Sequence, residues 1–180
     1  QIKNLKCEVK DLNRLVYADN AATTKVSESV LNAMLPYFSE NYGNASSLYT
    51  HGQNSKKAIN AAREPIAKLI NADPTEIFFT GSGTESDNMV IRGVLNSVAA
   101  KNKGRNHVIT TKIEHPAILR TCEAMQKQGF EVTYLDVDSD GVISLEQLEN
   151  AITEKTALIS VMAANNEIGS IQPLKEIGEI

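Results

Sequence analysis

Three short runs of mainly β-branched and apolar residues, at 107–111 (HVITT), 131–136 (EVTYLD) and 156–162 (TALISVM), recur along this chain with helix-length stretches between them. Runs this short and this apolar suit strands covered on both faces. The stretch 84–100 places Val90, Val94, Leu95 and Val98 on one helical face. The stretch 116–128 does the same with Ile118, Cys122 and Met125 before Gly129 closes it, and 144–152 opens on Ser144-x-x-Gln147, a capping pattern. Parallel strands cannot be joined by a tight hairpin, so each helix must cross over. The expected class is therefore α/β, a mainly parallel sheet with helices on both faces, preceded by an N-terminal helical segment. Ligands of such sheets gather at the carboxyl ends of the strands.

Upstream of the alternation, Leu15 to Ala18 reads as a brief extended piece and Asp19–Thr24 as a loop of small and polar residues. Helical spacing follows from Ser27, a good N-cap, to about Glu40 through Val30, Ala33, Met34 and Tyr37. After the hydrogen-bonding loop Tyr42–His51, a second helix spans 52–71 on Ile59, Ala62, Ile66, Leu69 and Ile70. Pro65 interrupts that helix, and residues 71–74 (NADP) stop it. The expected segments are an extension at 1–14, a loop and helical segment at 15–71, and an α/β domain from 72 to 180.

At 180 residues the chain can bury one sizeable core, and 42% apolar with 22% charged residues is ordinary for a soluble globular protein. A net charge of −4 offers no electrostatic attraction to nucleic acid or an anionic membrane. No apolar run has the length of a membrane span, and no apolar signal segment opens the chain. Cys7 and Cys122 have neither metal-ligand spacing nor the makings of a disulfide framework, which fits a reducing cytoplasm. The chain starts at Gln1 and stops at Ile180 inside what reads as a helix just begun, so it is expected to be part of a longer protein.

Three loops carry unusual chemistry. The run Glu76–Thr80 reads as a buried strand that breaks into Gly81-Ser82-Gly83 and enters a helix. A helix start directs unpaired amides at whatever lies there, so this turn is either an anion cup or an ordinary capped helix, Thr84-x-x-Asp87 also fitting a capping box. In residues 112–116 (KIEHP), His115 precedes a proline suited to the first helical position. It can lay its ring on a ligand, handle a proton, or make a local helix-entry hydrogen bond. Residues 165–169 (NNEIG) follow an apolar strand with two amides and a carboxylate, able to bind a ligand oxygen or to satisfy loop backbone. Meeting on one edge, the three loops favour a ligand.

Other patterns are set aside. Gly81-x-Gly83-x-x-Ser86 lacks the third glycine of a dinucleotide fingerprint, and the strand ending Thr110-Thr111-Lys112 brings no acidic residue for a ribose. Asp136-x-Asp138-x-Asp140-Gly141 mimics a calcium loop but has Gln147 at its twelfth position, and reads as a solvated turn. Cys122 lies on an inward helix face and suits packing better than nucleophilic work.

Taken together, Tyr17-x-Asp19-Asn20-Ala21-Ala22-Thr23-Thr24, Tyr42-Gly43-Asn44-x-Ser46-Ser47, Phe79-Thr80-Gly81-Ser82-Gly83-Thr84-Glu85-Ser86-Asp87-Asn88, Glu114-His115 and Asn165-Asn166-Glu167-Ile168-Gly169 resemble the class V, fold-type I pyridoxal-phosphate enzymes. Within that class the likeness is to the cysteine desulfurase group typified by NifS and IscS. The resemblance implies that the α/β part is the first portion of the large cofactor-binding domain. It implies that Gly83 and Thr84 hold the phosphate of pyridoxal 5'-phosphate, that His115 stacks on its ring and shuttles protons, and that Asn166 bonds its phenolic oxygen. It further implies an L-cysteine substrate converted to alanine, with the sulfur passing to an enzyme cysteine as a persulfide. A homodimer and a sulfur-accepting scaffold protein for iron–sulfur assembly also follow from the likeness. No metal is expected.

Ala45 stands where the family usually has proline, Tyr49 where histidine is common, and Pro65 interrupts a helix. The family's Schiff-base lysine, its carboxylate for the pyridine nitrogen and its persulfide cysteine lie beyond the position matching Ile180, and Lys112, Lys155 and Lys175 sit in no matching motif. These 180 residues alone are therefore expected to lack desulfurase activity. A related class V lyase or aminotransferase, such as a selenocysteine lyase, and a non-catalytic dimerisation or docking module are the alternatives.

Overall fold

The computed structural model describes residues 16–102 and 104–180, the side chains of 98–102 excepted. Expectations for the 1–14 extension, Cys7, Leu15 and the Val98 side chain fall outside the described residues. The chain divides into two compact units, Gln1–Pro74 and Thr75–Ile180.

In the first unit, Ser27 caps α1 (Glu28–Met34) by accepting from the Val30 amide. The expected single helix to Glu40 is instead two, because Pro36 cannot donate to the turn before it and opens α2 (Pro36–Ser39). The long helix α3 (Thr50–Leu69) runs on through Pro65, and just past its end Asn71 takes the left-handed conformation (φ 54°) that asparagine tolerates there. The loop at 43–47 lies flat on the first turn of α3. A Cβ on Gly43 would meet the His51 carbonyl oxygen at 2.4 Å, and one on Gly52 would meet the Asn44 carbonyl oxygen at 2.4 Å, so only glycine permits this approach.

The second unit holds α4 (Gly83–Asn102), β1 (His107–Thr111), α5 (Pro116–Gln126), β2 (Glu131–Leu135), α6 (Leu145–Ala151), β3 (Thr156–Ile159) and α7 (Leu174–Glu179). The strands form a parallel sheet, as the alternation predicts, and their order is β2-β1-β3. All five residues of the central strand β1 are buried. Successive side chains of a strand point to opposite faces, and the core divides accordingly. Val108 packs with Ile91, Leu95, Ile118, Cys122 and Met125 under α4 and α5. Ile109 packs with Leu135, Ile143 and Leu148 on the side of α6.

The expected strand at Glu76–Thr80 does not form. Residues 74–76 make a 3-10 turn, 77–80 are not among the sheet's three strands, and Phe78 and Phe79 are 71% and 51% exposed. Apolar, β-branched composition fits a residue for a sheet but does not by itself decide whether it joins one. The run 156–162 is also shorter as a strand than its composition suggests, ending at Ile159.

At the amino end of β1, His107 is 5% exposed and sits between two hydroxyls, with Nδ1 3.0 Å from Thr156 Oγ1 and Nε2 2.9 Å from Thr133 Oγ1. Burial pushes its pKa below the ordinary 6.5, the nearby Glu131 carboxylate only partly opposing this. A base whose folded pKa is depressed stabilises the fold fully above its unfolded pKa, and that contribution drains as the pH falls from there through the folded value. In urea unfolding, the chain is expected to lose stability on acidification from neutral pH to below 6.5 more steeply than a His107→Gln variant, which keeps hydrogen-bonding groups but cannot titrate. Parallel curves for the two proteins would refute this role.

Candidate functional site

The carboxyl ends of β1 and β3 lead into two loops that face one cavity of about 310 Å³, lined by residues 112–116 and 165–168. His115 and Asn166 are both in its wall. His115 also caps α5, its Nδ1 accepting from the Ala117 amide at 3.1 Å. The local helix-entry bond is thus real, and it has a chemical consequence. An Nδ1 that accepts leaves the proton of the neutral ring on Nε2, and the cap fixes the plane of a ring that is otherwise exposed.

The two neighbouring asparagines do different work. Asn165 is engaged by the backbone: its Oδ1 accepts from Glu167 and Ile168 at 2.9 and 3.0 Å, and its Nδ2 donates to the Ile113 carbonyl at 3.0 Å. The side chain of Asn166 is exposed and, among the described residues, has no hydrogen-bond partner. The loop is seated from below by Gly141 (φ +78°), where an added Cβ would strike Ile168 Cδ1 at 2.8 Å and Ser170 Oγ at 2.9 Å. Gln172, 3% exposed, ties the same turn by donating to the Gly141 carbonyl and accepting from the Ile143 amide. The turn before it is closed by Asp138, whose Oδ1 accepts from the amides of Asp140 and Val142.

Gly83 and Thr84 open α4 and are exposed; they are not in the wall of the 310 Å³ cavity. The capping box falls two residues earlier than the expected Thr84-x-x-Asp87. Ser82 Oγ accepts from the Glu85 amide at 3.2 Å, and Glu85 Oε2 reaches back to the Gly81 amide at 2.7 Å. Among the described residues no acceptor meets the amides of Gly83 and Thr84. The Asp87 charge, in the second turn of α4, adds to the burial that raises the Glu114 pKa.

Glu114 is a buried carboxyl to which sequence reasoning gives no role. It is 7% exposed, and burial raises its pKa, with the Met162 amide and the Thr111 hydroxyl opposing. The signal available is a carboxylate beside His115, but its partner is Met162, 48 residues away. Lys112, at the cavity wall, is paired with Asp136 at 2.5 Å, and Lys155 with Glu131 at 3.0 Å. Cys122 is fully buried, and desolvation pushes its thiol up to about 11, which removes the thiolate that a nucleophile needs. No group of His, Cys, Asp and Glu among the described residues could hold a metal ion, and no described helix is long and apolar enough to cross a membrane.

Residues 16–180 match the family model described as aminotransferase class-V. The chain belongs to that family. It is 55% identical over 169 residues to a protein named cysteine desulfurase IscS from Clostridium botulinum (strain Hall), covering 94% of this chain and 42% of that protein. A cysteine desulfurase IscS from Methanosarcina thermophila is 55% identical over 168 residues, 93% of this chain and 41% of that protein. Among solved structures, one described as a NifS-like protein superposes with a TM-score of 0.85 at 42% identity, over 91% of this chain and 44% of that one. Another, described as SspA in complex with cysteine, gives 0.84 at 39% identity, over 91% and 46%. The chain thus spans less than half the length of these class-V relatives.

Proposed function

We propose that this chain is the N-terminal portion of a pyridoxal-phosphate-dependent cysteine desulfurase, which takes sulfur from L-cysteine, leaves L-alanine and stores the sulfur as an enzyme persulfide. One observation carries the reading: His115 and Asn166, from loops some fifty residues apart in sequence, line one cavity, and only Asn166 of the two adjacent asparagines is left without a partner among the described residues. The residues present fit the cofactor. The cavity has room for a planar ring, the amides of Gly83 and Thr84 have no acceptor among the described residues and suit a phosphate, and the His115 ring is held in a set plane. In this reading Asn166 donates its side-chain N–H to the phenolic oxygen. His115 covers the ring and carries its exchangeable proton on Nε2. When bound, the cofactor supplies an electron sink for bond changes at the substrate carbons.

The sulfur-receiving cysteine is not Cys122, whose buried thiol cannot reach a substrate. The homodimer and the sulfur-accepting scaffold for iron–sulfur assembly belong to the same reading, as does a cytoplasmic location. Phe78, Met89 and Val90 are each exposed apolar side chains, of the type that protein contacts cover. The 180 residues by themselves are proposed to be inactive.

The test adds pyridoxal phosphate to the full-length protein and to residues 1–180, followed by borohydride reduction and peptide mapping. The expected result is a covalent adduct on the full-length protein alone, at a lysine outside this chain, together with alanine formation from L-cysteine. A specific adduct on Lys112, the lysine at the cavity wall, would overturn the claim that the lysines of this chain are bystanders.

A further inference from the structure

The ladder between β1 and β3 ends before the apolar run does, and a side chain takes over from it. The Ser160 amide donates to the Ile109 carbonyl at 2.9 Å. Donors on one edge of a parallel strand recur every second residue, so the next is Met162. Its amide donates to Glu114 Oε1, at 2.6 Å, and the Thr111 hydroxyl donates to the same oxygen at 3.4 Å. Glu114 thereby stands in for a strand acceptor just where the sheet opens into the site. Glu114 is the residue before His115, and Met162 lies four residues before Asn166. A second tie runs alongside it, from Asn165 Nδ2 to the Ile113 carbonyl at 3.0 Å. Of the two, the bond to Glu114 is the shorter.

We propose that Glu114 is a positioning residue: through the Met162 amide its carboxylate fastens the loop that carries His115 to the loop that carries Asn166, so that both groups meet one bound molecule in a set relation. The identity of that molecule rests on the proposed function; the tie itself does not. What matters in this account is reach, not charge. Glu114→Gln keeps the reach and a carbonyl oxygen for Met162. Glu114→Asp keeps the charge but withdraws the acceptor by about 1.5 Å, which breaks a bond of this length.

Two measurements on the full-length protein decide it. Hydrogen exchange of the Met162 amide, read without cofactor, is expected to quicken about tenfold or more in Glu114→Asp and Glu114→Ala and to stay within about twofold in Glu114→Gln. With pyridoxal phosphate bound, the pH at which its visible absorbance titrates is expected to move in the Asp and Ala variants and to hold in the Gln variant. Should Glu114→Ala fail to fold, the contrast between Asp and Gln still decides. The opposite order, Gln impaired and Asp intact, would overturn the proposal, as would unchanged Met162 exchange in every variant. Failure of the wild type to take up cofactor would sink the proposed function and leave the exchange order as the test of the tie.

Discussion

On the proposed function, His115→Asn in the full-length protein is expected to lower alanine formation from L-cysteine by about 10²–10⁴-fold while stability changes by less than about 0.5 kcal/mol. The pairing of these two results separates the roles that His115 combines. Its Nδ1 accepts from the Ala117 amide and so satisfies one orphan donor at the start of α5. Asparagine is among the favoured N-cap residues and can take over that bond, but it has no ring to cover a cofactor and no Nε2 proton to pass. His115→Ala is expected to lose turnover equally and to cost about 1 kcal/mol more, because the cap goes as well. Alanine formation from L-cysteine and urea unfolding give the two readouts. Wild-type turnover in the Asn variant would reduce His115 to a helix cap.

Ile109→Ala is expected to destabilise the chain by about 3–4 kcal/mol, measured as a lowered urea midpoint with an unchanged slope. Ile109 is fully buried at the centre of the middle strand, beside Thr133 of β2 and Ile159 of β3, and it packs against Leu135, Ile143 and Leu148. Removing its side chain leaves a cavity bounded by sheet on one side and by α6 beyond, neither of which can close without disturbing the register of β1. A loss below about 1 kcal/mol would mean that this face of the sheet is not the packed layer described above.

Some of this architecture can be read directly from residue order. Ser27 and Ser144 announce helix starts that the chain adopts, and the runs at 107–111 and 131–136 become β1 and β2 almost residue for residue. Pro36 splits a helix whose apolar spacing alone suggests continuity, since spacing reports which face is buried and not whether a backbone donor is present. The capping box at the start of α4 is ambiguous in the sequence because Thr84-x-x-Asp87 and Ser82-x-x-Glu85 are both well-formed patterns two residues apart. Only the turn at Gly81 selects between them, through the amide that Glu85 reaches back to bond.

Sequence alone determined the α/β class and the parallel sense of the strands, because periodicity and crossover length are properties of neighbouring residues; loop chemistry marked His115 and the pair Asn165-Asn166 as candidates, and only the family resemblance chose Asn166 between the two. Tertiary structure alone decided that Phe78 and Phe79 stand exposed instead of forming a strand, that Asn165 is engaged by backbone while Asn166 is not, and that Glu114 closes on Met162. The last two of those outcomes depend on a partner brought in from elsewhere in the chain. Local composition can state what a residue is suited to bond, but not what the fold will set before it.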